Sequence, residues 1–365
     1  MAVLAAVARL MQGPAAALDC AETLLRLDRF DAIIDVRSPG EFAEDHIPGA
    51  VNCPVLDDAE RVEIGTLHKQ VSAFAARRRG AALVAANIAR HLQSPAFERP
   101  REWRPLVYCW RGGQRSGAMN HVLGRIGWHS AQLAGGYRAY RRAVLDALET
   151  LPLRFSFRVV CGTTGSGKSR LLRHLRTCGA QVLDLEELAR HRGSVLGDLP
   201  AAPQPSQKWF ESQLWAALRA LDTERPVFVE SESRKIGALR VPDALIGHMR
   251  AAPCVLLELP LAERVRLLRE EYLHFEQDVA ALGTQLDCLA ALHGRERVGQ
   301  WKKLAAQSRW NAMVQRLLVE HYDPAYLRSI GRNFAQVGQA RRVTAERADE
   351  SEYARLAQEL AAAPG

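Results

Sequence analysis

The sequence predicts a two-part α/β protein with a helical region at its C-terminal end. Three observations carry that prediction. Short apolar runs alternate with helical patterns, two glycine-rich turns each join such a run to a helix, and strand patterns cease after about residue 270.

Along the chain, residues 32–36 (AIIDV) and 106–109 (LVYC) are rich in β-branched or aromatic residues and read as strands. Residues 116–126 and 138–148 place apolar side chains three and four apart and read as helices. The passage Glu149-Thr150-Leu151-Pro152 breaks that pattern, so a first domain is expected over residues 1–150. A second unit begins with a strand at 155–160 and continues through strands at 181–183, 226–230 and 254–259, with helical patterns at 206–221 and 261–271 between them. Strands separated by helices make a parallel sheet, here expected over residues 151–270. Residues 271–365 are expected to pack on it as helices, among them 301–321 and 345–363.

Composition narrows the function classes. With 365 residues, 48% hydrophobic and 25% charged, the chain has the make-up of a soluble protein with room for two or three cores. The apolar residues 1–8 meet Arg9 far short of the roughly 18 needed to cross a bilayer, so they read as a helix, and no membrane partner is expected. Seven cysteines stand singly, without a CxxC pair or the dense spacing of a disulfide framework, which fits a reducing, cytoplasmic setting. Cys20, Cys53, Cys161, Cys178, Cys254 and Cys288 read as small buried hydrophobes. The net charge of +8 permits a polyanionic partner, and nine arginines against the single acid Glu102 lie between Arg99 and Arg142.

Cys109 is different from the other six. It closes its strand and opens Cys109-Trp110-Arg111-Gly112-Gly113-Gln114-Arg115-Ser116, which runs into a helix. Gly112 and Gly113 let successive N–H groups turn inward as an anion-binding nest, and the helix dipole with Arg111 and Arg115 adds positive charge. Such a cradle favours thiolate over thiol and suits a terminal persulfide or perselenide.

The second glycine-rich turn is Gly162-Thr163-Thr164-Gly165-Ser166-Gly167-Lys168-Ser169, a full match to the phosphate-binding P-loop pattern with a strand before it and a helix after it. Its N–H groups would wrap phosphate oxygens, Lys168 would supply a point charge, and Ser169 would ligate Mg2+. A metal-binding carboxylate should end a later strand; Glu230 is the first candidate and Asp184 the alternative, while no metal site is certain. The pattern establishes binding of a di- or triphosphate rather than its hydrolysis. Trp209, Phe210, Trp215, Trp301 and Trp310 could stack on a base, but their helical spacing reads as core.

Upstream of Cys109 stand Asp35-Val36-Arg37-Ser38-Pro39-Gly40-Glu41-Phe42 and Asp45-His46-Ile47-Pro48-Gly49-Ala50-Val51-Asn52. With the cysteine loop they resemble the paired signature of rhodanese domains, in which Asp35, Arg37 and His46 would be structural. A rhodanese-like domain followed directly by a P-loop domain, together with Asp184-Leu185-Glu186, His191-Arg192-Gly193-Ser194 and Glu230-Ser231-Glu232-Ser233-Arg234-Lys235-Ile236-Gly237, resembles the bacterial tRNA 2-selenouridine synthase family along essentially the whole chain.

That resemblance implies a selenotransferase acting on the wobble 2-thiouridine of certain tRNAs, with the anticodon loop as partner. It also implies selenophosphate and geranyl diphosphate as co-substrates, an S-geranyl intermediate, and no tightly bound cofactor. Cys109 would carry the selenium, and the P-loop would hold geranyl diphosphate while apolar residues of the helical region shelter its ten-carbon chain. A monomer is expected. Two other readings stay open on the residues alone: a rhodanese-type sulfurtransferase fused to a nucleotide-dependent kinase or switch, and an RNA-binding module with an inert rhodanese fold.

Overall fold

The computed structural model describes residues 17–199 and 202–362. The helix read over residues 1–8 lies outside them. The chain divides into two compact units between Ala147 and Leu148, with Glu211–Gln213 grouped with the first.

The first unit is built on β1 (Ala17–Leu18), β2 (Ala32–Asp35), β3 (Ala50–Asn52), β4 (Pro105–Tyr108) and β5 (Ala131–Leu133), all parallel in the spatial order β1-β5-β4-β2-β3. Central β4 is buried at every position, as a strand covered on both faces must be. Asp35 lies opposite Tyr108, so β2 and β4 finish side by side and the segments leaving them share one edge of the sheet. From that edge departs the helix Gln114–Ile126, which ends on left-handed Gly127. Two helices between β3 and β4, Asp58–Gln70 and Ala73–Leu92, were not legible in the sequence; the first buries no residue and the second is dominated by alanine and arginine, so neither shows a strong apolar stripe.

The second unit holds β6 (Phe157–Cys161), β7 (Gln181–Leu183), β8 (Val227–Glu230), a small antiparallel hairpin of β9 (Lys235–Ile236) and β10 (Leu239–Arg240), β11 (Cys254–Glu258) and β12 (Arg341–Thr344). The main sheet is parallel in the order β12-β11-β6-β8-β7. β12 corrects the expectation that strands stop near residue 270. It is an edge strand with one buried residue, Val343, among exposed neighbours, and so shows no apolar run. The final helix Glu350–Ala362 then returns to the P-loop core, with Tyr353, Leu356 and Leu360 in one cluster with Leu171, Leu172 and Leu175. The C-terminal region therefore completes the P-loop sheet rather than merely packing on it.

The helix read over 301–321 is also interrupted. Arg295–Ala306 ends where the N–H of Arg309 bonds Leu304 O at 2.9 Å and that of Ser308 bonds Ala305 O at 2.9 Å, with Ser308 at φ 55°. This is a Schellman cap with serine in the place glycine usually takes. Trp310–Leu317 follows and runs into a π-turn at Leu318–Tyr322. Phe275, Leu282, Leu286, Trp301, Trp310, Met313 and Leu317 form the core of this region. Among the described residues no helix is long and apolar enough to cross a membrane.

Candidate active sites

In the first unit, Cys109 is buried at the end of β4, and two glycine contacts explain how its loop fits. A Cβ on Gly112 would stand 2.5 Å from Leu133 O, and one on Gly136 would stand 2.2 Å from Cys109 O, so backbone packs directly on backbone there. Gly112 takes φ 64°. Tyr137 N–H donates to Cys109 O at 2.8 Å and Arg138 N–H to Trp110 O at 3.0 Å, which ties the loop to the helix Gly136–Thr150. Among the described residues no acceptor engages the N–H groups of residues 110–113, so these donors remain for an anion.

The two loop arginines differ. Arg111 is exposed, whereas Arg115 is held by Glu41 at 2.8 Å, contrary to the expectation that both charges serve the cradle. Glu41 is itself fixed as the partner in the Ser38 capping box. The buried pair Asp35–Arg37, at 2.6 Å, behaves as the structural ion pair the sequence suggests: Arg37 also donates to Asp45 O and lies 4.0 Å from the Tyr137 ring centre. His46 stacks on Phe42 at 3.7 Å, and burial holds its imidazole below its ordinary range, so it is structural too. Burial pushes the thiols of Cys20 and Cys53 up to about 11, as inert cysteines require. Cys178 and Cys288 depart from the buried reading and are exposed on their helix ends.

The arginine-rich stretch separates into two groups. Arg104 precedes β4 and pairs with Asp31, which precedes β2, at 3.2 Å. Four strand residues, roughly 13 Å of extended chain, separate it from Cys109. Arg99 and Arg101 belong to that far edge, while Arg138 and Arg142 are exposed near the cysteine loop and Arg141 pairs with Glu211.

In the second unit the P-loop links β6 to the helix Lys168–Thr177. Gly165 and Gly167 take φ 79° and 83°, and a Cβ on Gly167 would collide with the Tyr353 hydroxyl at 2.1 Å. The loop is held from several sides. Tyr326 Oη accepts the Gly162 N–H at 2.6 Å, Tyr353 Oη donates to Ser166 O at 3.1 Å, and Arg264 Nε donates to Thr164 O at 2.9 Å. Lys168 Nζ donates to Gly162 O at 2.8 Å.

The carboxylates are arranged differently from the sequence expectation. Glu230 ends β8 as expected, but its Oε1 accepts the Glu186 N–H at 2.8 Å and its buried Oε2 has no partner among the described residues. Asp184 caps the helix Leu185–Ala189 by accepting the Glu187 N–H at 2.8 Å, which accounts for it without a metal. The side chain that meets Ser169 is Glu186, at 2.9 Å. Burial, and then the charges of Asp184, Glu186 and Glu232, hold the Glu230 carboxyl far above its ordinary range. Glu232 is pushed up to about 8 by burial and by Glu186. Glu186 and Glu232 were missed as site residues although they stand two positions from the candidates named; an i, i+2 pair past a strand end turns back to the same edge. Among the described residues no three His, Cys, Asp or Glu side chains converge as a ready metal cage. The oxygen-only set of Ser169 and Glu186 fits Mg2+, which keeps waters and takes its remaining ligands from phosphate.

Phe210, Trp215, Trp301 and Trp310 are buried, and Trp209 is half-buried, in keeping with the core reading. Thr164 of the P-loop also lines an apolar cavity, walled mainly by Leu268, Phe275, Trp310, Met313, Leu317 and Leu318.

Comparison with known proteins agrees with this division. The rhodanese-like domain family matches residues 19–143, and the family described as the tRNA 2-selenouridine synthase AAA domain matches residues 155–294. A tRNA 2-selenouridine synthase of Nitrosomonas europaea is 36% identical over 252 residues, covering 66% of this chain and 63% of the relative. One from Aeromonas salmonicida is 33% identical over 82% of this chain and 87% of its own length, and one from Bdellovibrio bacteriovorus is 31% identical over 84% and 90%. The two sheets are thus a rhodanese-like domain and a P-loop domain, in the order the sequence predicts. With both domains matched and the similarity running through most of the chain, the protein belongs to the tRNA 2-selenouridine synthase family.

Proposed function

We propose that this protein replaces the C2 sulfur of a 2-thiouridine in tRNA with selenium, and that the sulfur is first geranylated at the P-loop. Family membership supports the first half of the reading. The second half is carried by the apolar cavity beside Thr164. Its few charged wall residues, Arg269 and Glu276, are paired to each other at 2.8 Å. A nucleotide base would leave its hydrogen-bonding edges unmatched against such walls, whereas a prenyl chain leaves nothing unmatched.

In this reading the diphosphate lies on the P-loop N–H groups and the N-terminus of the helix Lys168–Thr177, with Lys168 as point charge. Ser169 and Glu186 would hold Mg2+, which would supply further positive charge beside the departing diphosphate. The thiocarbonyl sulfur attacks C1 of the geranyl group, the bond from C1 to the diphosphate oxygen breaks, and the N3 proton leaves. The sulfur is now a thioether, so a selenium nucleophile adding at C2 expels it as geranyl thiol. At Cys109 the N–H donors of residues 110–113 and Arg111 hold selenophosphate while the thiolate attacks phosphorus; the P–Se bond breaks, hydrogen selenide leaves as the nucleophile for C2, and water then cleaves the S–P bond and releases phosphate.

The test is to narrow the cavity with Met313→Trp and Leu317→Trp and follow geranylation by mass analysis of tRNA nucleosides. KM for geranyl diphosphate should rise roughly tenfold, since overpacking costs 1–3 kcal/mol, while inhibition by inorganic pyrophosphate stays unchanged. An unaltered KM in both variants would remove the prenyl chain from this cavity.

A further inference from the structure

We propose that Gln132 and Ser116 form a hydrogen-bond relay onto the Cys109 sulfur, with Ser116 a catalytic residue that donates to Sγ and Gln132 the residue that positions it. The proposal rests on the reading of Cys109 as the nucleophile.

The argument starts from the amide of Gln132. Its Nε2 lies 2.6 Å from Gly112 O and 3.2 Å from Gly113 O. Backbone carbonyls only accept, so nitrogen rather than oxygen must face the loop, and the orientation of the amide is settled by its neighbours. The same nitrogen lies 2.9 Å from Ser116 Oγ and donates to it. With one lone pair taken in this way, the single hydroxyl proton of Ser116 goes to one of two acceptors. Cys109 Sγ is at 3.1 Å and Gly113 O at 3.4 Å.

Sγ is the better acceptor of the two. Gly113 O already takes the Gly117 N–H at 2.9 Å besides Gln132, whereas Ser116 is the one donor that reaches Sγ among the described residues. Ser116 is wholly buried, so no bulk water competes for its proton. The three groups come from three elements: Cys109 follows β4, Ser116 lies in the first turn of Gln114–Ile126, and Gln132 sits on β5. Register joins β4 and β5 at Val107 and Gln132, which brings the amide level with the loop.

A donor in a dry site stabilises an anionic sulfur more than a neutral one. The relay therefore stabilises the anionic sulfur of Cys109. It also fixes the side from which Sγ is bonded, leaving the group transferred to Sγ to the N–H donors of residues 110–113.

The test uses the full chain and follows the Cys109 peptide by mass spectrometry during iodoacetamide alkylation, which separates it from exposed Cys178 and Cys288. Ser116→Ala should slow alkylation at pH 7 about tenfold, as loss of a hydrogen bond to a charged group implies, and leave the rate at pH 10 unchanged. Ser116→Thr should restore most of the loss. Gln132→Leu should slow the pH 7 rate by a smaller factor and add nothing in the Ser116→Ala background, because it acts through Ser116. Equal rates for Ser116→Ala and the unmodified chain at pH 7 would overturn the relay, and so would a loss that persists at pH 10. Failure of the nucleophile reading itself appears elsewhere, as selenouridine formation by Cys109→Ser.

Discussion

Asp323 accepts both terminal amino groups of Arg264, at 2.6 and 3.0 Å, and the remaining N–H of that guanidinium donates to the carbonyl of Thr164. A helix near the C-terminal end, Asp323–Asn333, thus steers a loop some 160 positions earlier, and it does so beside the apolar cavity that Thr164 also lines. Arg264 is buried, so removing its partner leaves a charge without compensation. Asp323→Ala should destabilise the second unit by about 3 kcal/mol, read as a shifted denaturant midpoint. Arg264→Met/Asp323→Ala should recover much of that loss; a double variant as unstable as the sum of the two would show that the pair does not couple.

Cys109→Ser should abolish 2-selenouridine formation and leave geranylation largely intact, because a hydroxyl is a far weaker nucleophile than a thiolate towards selenophosphate and the proposed diphosphate site is in the other unit. Nucleoside mass analysis separates the two products. Normal selenation by this variant would end the assignment of Cys109.

Lys168→Ala should act in the opposite sense. Loss of the point charge on the departing diphosphate should slow geranylation by roughly 10²–10³, and a pre-geranylated tRNA should restore selenation. Geranylation at the unmodified rate would give the P-loop to another ligand.

These separations can be designed because both loops were legible before the structure: their glycines, Cys109, Lys168 and Ser169 stand in unbroken local patterns. What was hidden depends on distance or on a missing local cue. Glu41, 74 positions before Arg115, neutralises a charge that the loop sequence by itself offers to an anion. Tyr326 and Tyr353 reach the P-loop from the last helices, where nothing in their neighbourhoods hints at phosphate binding. The break at Ser308 lacks its glycine, and β12 lacks an apolar run because its outer side faces no strand.

His293 and His321 share one hydrogen bond, 2.8 Å between Nε2 and Nδ1, which at least one neutral ring must accept. Burial is the main cause that holds both imidazoles below their ordinary range; Arg297 and Arg328 add to it at His293, where Glu320 opposes, and His293 and Arg328 add to it at His321. A depressed folded value means that the unfolded chain binds more protons. The contribution is present above about pH 6.5 and is lost as pH falls through the lower folded values. Tm should therefore drop between pH 7 and pH 5, and less so in His293→Gln/His321→Asn. Parallel profiles for the two proteins would remove the pair as a source of acid sensitivity.

The last prediction concerns tRNA. The nine arginines between Arg99 and Arg142 look like one basic stretch in sequence, but the parallel sheet sends them to opposite ends. Arg104 stays with Asp31 at the start of β4, whereas Arg138 adjoins the cysteine loop through its N–H bond to Trp110 O, and Arg142 follows one helical turn later. Arg111 is exposed on the loop itself. If the reacting base enters at Cys109, its flanking phosphates meet Arg111, Arg138 and Arg142. Each phosphate contact removed should lower the log–log salt dependence of tRNA affinity by roughly 0.7 to 0.9. Arg138→Ala/Arg142→Ala should accordingly lose one to two such increments, with little change in preference among tRNAs, since phosphate contacts position without reading sequence. Arg101→Ala/Arg104→Ala should bind tRNA with the unmodified slope. The reverse pattern would put the RNA on the far edge of the sheet, too distant from Cys109 for the base and the sulfur to meet.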